Sequence, residues 1–291
     1  MGNSLRHIYA IATNTFTEAI RQRVLYVLVV FCLVMLGGSS FCTQFDFRGD
    51  DFKFMKDLAY AGISVIGLLV ALLGAALLIP AELERRTIYM VLCKPVRRFE
   101  FIAGKYFGLV ALLTLFVVLM AGIFFLALWG HESALTGDIL AASKGRPTEL
   151  QAQMIAEYRA AAYDPALVQA LVLLWAKLCL VTVISVFLST LASSTVFIVC
   201  CTLLVYLIGH LQSVAREFWL EGTVAAAWYT RAFLAALALT APDFQTFNLI
   251  DEIIAGNAVL WSNTLPVLGY AVGYAVVALA LAALVFEERE L

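Results

Sequence analysis

Residues Glu82–Gly108 read ELERRTIYMVLCKPVRRFEFIAGKYFG, the one long charged stretch between strongly apolar runs. It carries Arg85, Arg86, Lys94, Arg97, Arg98 and Lys105, out of 19 Lys and Arg in the chain. Basic residues in short loops between membrane spans are retained on the cytoplasmic side. The spacing predicts a cytoplasmic loop over residues 81–105, long enough to touch another protein. Within it Ile88, Val91 and Leu92, with Glu84 one turn earlier, fall at helical spacing and predict a short surface helix. Pro95 disfavours helix at Lys94, so the chain is expected to turn there.

The composition around this loop is that of a membrane protein. Of 291 residues 63% are hydrophobic and 14% charged, where soluble domains carry about a quarter charged. Mean hydropathy is +0.93. A net charge of −2 with no basic tract gives no reason to expect a nucleic-acid partner. The cysteines lie mostly in apolar runs and imply no disulfide framework.

Outward from the loop, six apolar spans are expected. The first covers Val24–Cys42 and ends in Gly37-Gly38-Ser39-Ser40; the second covers Leu58–Pro80, long enough for a hydrocarbon core of about 30 Å. Between them a short outer loop holds Asp46, Asp50, Asp51 and Asp57 beside Arg48, Lys53 and Lys56. The third span is Tyr106–Trp129. An outer segment, 130–165, follows, broken by Gly130, Gly137, Gly145 and Pro147, with a polar helix over Thr148–Tyr163. Ala166–Leu211 is too long for one span of about 20 residues and divides into two at Ser189-Thr190 and Ser193-Ser194-Thr195. The last span is Leu265–Phe286, with Gly269 and Gly273 as a small-residue packing face. Before it, residues 212–263 contain Val224–Thr240, short for a span and interrupted by Arg231, which costs roughly 2.5–3.5 kcal/mol at mid-bilayer. That stretch is read as re-entrant or interfacial on the outer face. At the start, residues 1–23 form an amphipathic segment in which Leu5, Ile8, Ala12, Phe16 and Ile20 recur three or four apart, as in an interfacial helix. The fold class is therefore all-α, a single polytopic domain. Arg6, Arg21 and Arg23 add to the loop's basic density and put both termini in the cytoplasm.

The charged stretch resembles the loop of ABC-type exporter permeases, the ABC-2 membrane family. Glu82, Glu84, Thr87, Pro95, Val96, Arg98, Gly104 and Lys105 stand at matching positions. Arg86 occupies the place of a glycine found in many members, so that glycine's role does not transfer. The N-terminal string NTFTEAIRQRVLYVLVVF resembles the family's elbow helix and first span, and PDFQTFNLIDEIIAG resembles the segment before its last span. What the resemblance implies is a multi-pass subunit of the cytoplasmic (inner) membrane, working as an exporter permease. It implies a coupling helix in the loop, resting in a groove of a separate ATPase subunit that holds ATP and Mg, and pairing with a second permease copy in the lipid bilayer. The Ser189–Thr195 turn would be a second, smaller contact with that ATPase. Glu82, Glu84, Arg85, Arg86, Thr87, Pro95, Arg97 and Arg98 are the expected coupling surface.

Catalytic chemistry has no foothold in the residues. No G-x-x-x-x-G-K-[ST] occurs, because Gly104-Lys105 lacks the upstream glycine and the following hydroxyl. His7, His131 and His210 have no Cys or acid at ligand spacing, so neither metal, cofactor nor enzyme activity is expected in this chain. One charge sits inside a span: Lys177. It lines a translocation path, binds an anionic head group, or snorkels to the outer interface. The rival readings are an ion-gradient-driven secondary transporter and a non-transporting membrane anchor. The first needs polar groups meeting near the midplane, and only Lys177 approaches that position.

Overall fold

The computed structural model describes residues 2–22, 51–84, 97–142, 164–192, 194–220, 242–254 and 259–288, with scattered residues of 26–38 and 152–159. Among these there is no strand. The helices are α1 (Gly2–Ile20), α2 (Asp51–Glu84), α3 (Arg98–Ala142), α4 (Ala166–Leu191), α5 (Thr195–Leu220), α6 (Leu249–Ile254) and α7 (Trp261–Glu288), with a 3-10 turn at Phe244–Asn248 before α6. Five of them are long and apolar enough to cross a membrane: α2, α3, α4, α5 and α7. The expected first span, Val24–Cys42, lies largely outside the described residues, as does Val224–Thr240.

Helix α4 is the axis of the bundle. It is apolar on every side, as a helix enclosed by neighbours must be, and it packs against α2, α3, α5, α6 and α7. The up-and-down course follows from a few contacts. Tyr60 of α2 donates its hydroxyl to the Leu167 carbonyl at 2.6 Å, so α2 and α4 begin at the same end. The Tyr60 ring also meets Phe124, in the second half of α3, edge-on at 5.7 Å, which makes α3 antiparallel to both. Gln169 donates to Thr264, bringing the start of α7 to that end as well. The opposite end collects α1, the start of α3, the α4–α5 turn and the end of α7.

Several boundaries differ from the sequence expectation. Pro80 does not stop α2, which continues to Glu84; a proline removes one backbone bond, and Ala81, Glu82, Leu83 and Glu84 are strong helix formers. At its other end α2 begins at Asp51, so Asp51, Lys53, Lys56 and Asp57 are helical rather than in the expected loop. Residues 98–105, expected within the 81–105 loop, are the opening turns of α3. Gly130 and Gly137, expected to break the 130–165 segment, lie inside α3. Each glycine costs about 1 kcal/mol in a helix, which the pairing of buried Glu132 with Arg159 at 3.0 Å helps to offset.

Among the described residues Gly269 and Gly273 face open space: a Cβ at either would meet nothing within 4 Å. The face of α7 turned to the core carries Val267, Ala271, Ala278 and Ala282 instead. Pro242–Gln245 returns to α5. A Cβ on Gly209 would stand 2.4 Å from the Pro242 carbonyl oxygen, so only glycine admits that approach. The chain thus leaves α5 and returns to the same level of the bundle.

Candidate functional site

The first turn of α3 is built as half of a capping box. Glu100 lies three residues after Arg97, and its carboxylate accepts the Arg97 backbone N–H at 3.2 Å. The same carboxylate meets His7 Nδ1 at 3.0 Å and the Ser4 hydroxyl, both on α1. Glu100 is only 4% exposed, and three donors offset the loss of its hydration.

Two turns on, Lys105 is 2% exposed. Its ammonium is 3.9 Å from a Glu18 carboxylate oxygen on α1 and 5.7 Å from the centre of the Phe101 ring. Gly104 and Gly108 make this approach of α1 to α3 possible. A Cβ on Gly104 would lie 2.7 Å from the Ile11 Cβ, and one on Gly108 2.7 Å from the Ala12 carbonyl oxygen. This is a small-xxx-small contact, in which two backbones meet because side chains are missing. It also sets the rotation of α1. Thr15 and Ala19 are buried and Ile11, Phe16 and Ile20 pack on the core, while Leu5 is exposed, so the contact face shares the predicted apolar stripe from Ile8 to Ile20 and leaves Leu5 outside it.

Arg98 ties the same turn to the far end of the chain. Its guanidinium donates to the Phe286 and Glu287 carbonyls at 2.7 and 2.8 Å. A cation on the unsatisfied carbonyls of a helix C-terminus is favourable both as a hydrogen-bond donor and against the helix dipole. Phe101 stacks on Phe286 with ring centres 6.0 Å apart. The opening of α3 is therefore held by α1 on one side and α7 on the other.

Of the expected coupling residues, Glu82 and Glu84 fall in the last turn of α2. Arg85, Arg86, Thr87 and Pro95 lie outside the described residues. Arg97 is exposed at the start of α3. Arg98, also among the expected coupling residues, binds the carbonyls of α7. The residues that the sequence reading passed over are His7, Glu18 and Glu100. Glu100 left a signal in the R-R-F-E string; the other two pair across distances in the chain that no spacing rule reaches.

A second polar group lies between α4 and α5. Lys177 of α4 places its ammonium 3.1 Å from His210 Nε2 on α5 and 5.6 Å from the centre of the Tyr206 ring. His210 Nδ1 sits 3.1 Å from the Tyr206 carbonyl, so that nitrogen carries the proton and Nε2 accepts from Lys177. Gln245 donates to the His210 carbonyl at 2.7 Å, and Phe244 stacks on the imidazole. Lys177 thus joins α4 to the neighbouring helix α5.

The family model described as ABC-2 family transporter protein matches residues 9–291, from within α1 to the end of the chain. The chain belongs to the ABC-2 family. It is a multi-pass membrane permease, a transporter subunit rather than a catalytic one. No curated protein matches the permease. The match spans both polar groups just described: the junction at the start of α3, apart from Ser4 and His7, and the Lys177 cluster in full.

Proposed function

We propose that the permease is the membrane subunit of an ATP-driven exporter, docked through residues 81–97 on a separate cytoplasmic ATPase that carries ATP and Mg. Two permease copies in the inner membrane, termini in the cytoplasm, would enclose the path, with Lys177 facing it. The observation that carries this reading is the anchored start of α3. Arg97 ends the proposed docking residues 81–97, and the turn it opens is bound to α1 through Glu100 and to α7 through Arg98. Closure of the ATPases would push on the stretch, and a push at Arg97 would reach three helices together. The spans would then shift between two arrangements whose balance ATP biases. Glu82, Glu84, Arg85, Arg86, Thr87, Pro95 and Arg97 form the docking surface, and Arg98 transmits.

The test separates docking from folding. Exposed charge changes cost within about 0.5 kcal/mol, whereas removing one member of a buried interfacial charge pair costs about 2–5 kcal/mol. Reversing Glu84 with Arg85, or Arg97 alone, should leave membrane insertion intact and reduce either bound ATPase or transport per ATP in liposomes. Arg98 is excluded from these reversals because its loss would also uncap α7. Wild-type levels of permease, bound ATPase and transport per ATP in both variants would remove the coupling assignment.

A further inference from the structure

Among the described residues the Lys177 ammonium has no ion-pair partner. Lys177 is near the middle of α4, roughly 17 Å along the helix from Ala166 at 1.5 Å per residue. A cation at that depth is costly to insert and is expected to find a partner. Among the described residues its hydrogen-bond acceptor is His210, and the proton on Nδ1 makes that imidazole neutral or, if Nε2 also gained one, cationic. Neither state supplies negative charge. No carboxylate stands within ion-pair distance of Lys177 among the described residues; Asp251 of α6 acts on it only through space. The Tyr206 hydroxyl makes no hydrogen bond among the described residues, although its ring lies against the ammonium. Lys177, Tyr206 and His210 are all half-buried, so the group is reachable and not sealed in the core.

We propose that Lys177, Tyr206 and His210 form an intramembrane site for a singly charged oxyanion, a phosphate ester or a carboxylate. The ammonium gives a charge-assisted hydrogen bond, the phenol offers a second donor, and His210 holds the ammonium in place without competing for the anion. One negative charge neutralises the site. A dianion would leave a net charge in a medium of low dielectric and is disfavoured. The inference rests on the reading that Lys177 faces the path only for its link to transport; binding is a separate property. The anion is either a lipid headgroup or a soluble ion.

Full-length permease is purified, and phosphatidylglycerol retained against phosphatidylcholine is measured by native mass spectrometry. In a second arm, permease in phosphatidylcholine nanodiscs is titrated with dimethyl phosphate, a monoanion at neutral pH, and its thermal midpoint followed. Loss of one charge-assisted bond corresponds to about tenfold weaker binding or more. Lys177→Gln should lose that much in the arm that binds, Lys177→Arg should keep most of it, and Tyr206→Phe, which removes only a hydroxyl, should fall between. An effect in the lipid arm assigns a headgroup, and one in the phosphate arm a soluble anion. If Lys177→Gln does not insert, Tyr206→Phe and His210→Gln carry the same comparison. Anion binding unchanged in these variants, or absent from wild type in both arms, overturns the site. Binding lost while the ATPase-bound complex transports at the wild-type rate would retain the site and remove Lys177 from the path.

Discussion

Glu100 serves three donors with one carboxylate: the Arg97 backbone N–H, His7 and the Ser4 hydroxyl. Truncation to alanine leaves those donors facing an interior that water does not reach freely, at about 1–3 kcal/mol for a buried group left unsatisfied. We predict that Glu100→Ala lowers the thermal midpoint of the purified permease, and that Glu100→Gln, which still accepts through its amide oxygen, lowers it less. Equal midpoints for wild type and Glu100→Ala would mean that the carboxylate does not hold the junction. Half of this was readable in the string R-R-F-E, because an acid three residues into a helix caps its first turn. The partners were not. Ser4 and His7 meet Glu100, and Glu18 meets Lys105, across more than eighty residues, and only the fold brings them together. Lys177 was readable as an intruding charge, but its turn towards His210 depends on how α5 packs on α4.

Helix α1 illustrates why an element can be legible while its partner is not. The spacing of Leu5, Ile8, Ala12, Phe16 and Ile20 marks a helix correctly, and Gly2–Ile20 is one. The apolar stripe says only which face avoids water, and a bilayer interface and a neighbouring helix both meet that need. The deciding feature lies on the other element. Gly104 and Gly108 open a notch in α3, and the side of α1 that fits it carries Ile11, Ala12 and Thr15. Loop lengths failed for a related reason: charge and glycine were read as breaks, whereas α2 and α3 continue through Pro80, Gly130 and Gly137. We predict that Gly108→Ala, whose Cβ would press on the Ala12 carbonyl, moves α1 away from α3. Overpacking of this kind costs typically about 1–3 kcal/mol. Amide hydrogen exchange over residues 4–20 should accelerate in the variant while that of α4 is unchanged. Unaltered exchange in α1 would mean that the notch is not what seats it.

In the whole molecule, the contacts sort the helix ends into two sets. His7 with Glu100 and Arg98 with Phe286 join the start of α1, the start of α3 and the end of α7 at one end. Tyr60 with Leu167, Gln169 with Thr264, and Gln245 with His210 join the starts of α2, α4 and α7 and the later part of α5 at the other. This arrangement gives the segment between α5 and α7 a definite consequence. Pro242 rests against Gly209, so by Pro242 the chain is back beside the later half of α5, the half that holds Ser213. We propose that the charge of residues 82–108 sets the direction of the bundle in the membrane, since basic loops are retained in the cytoplasm. We predict that tags inserted after Ser213 and after Asp243 report the same outer side, and that tags before Met1 and after Leu291 both report the cytoplasm. An impermeant thiol reagent should reach Cys93 only once the membrane is opened. Opposite reports from the two internal tags would contradict the return of the chain to α5. Labelling of Cys93 in sealed cells would leave the bundle as described but invert it, and an ATPase in the cytoplasm would then have no charged stretch to grip.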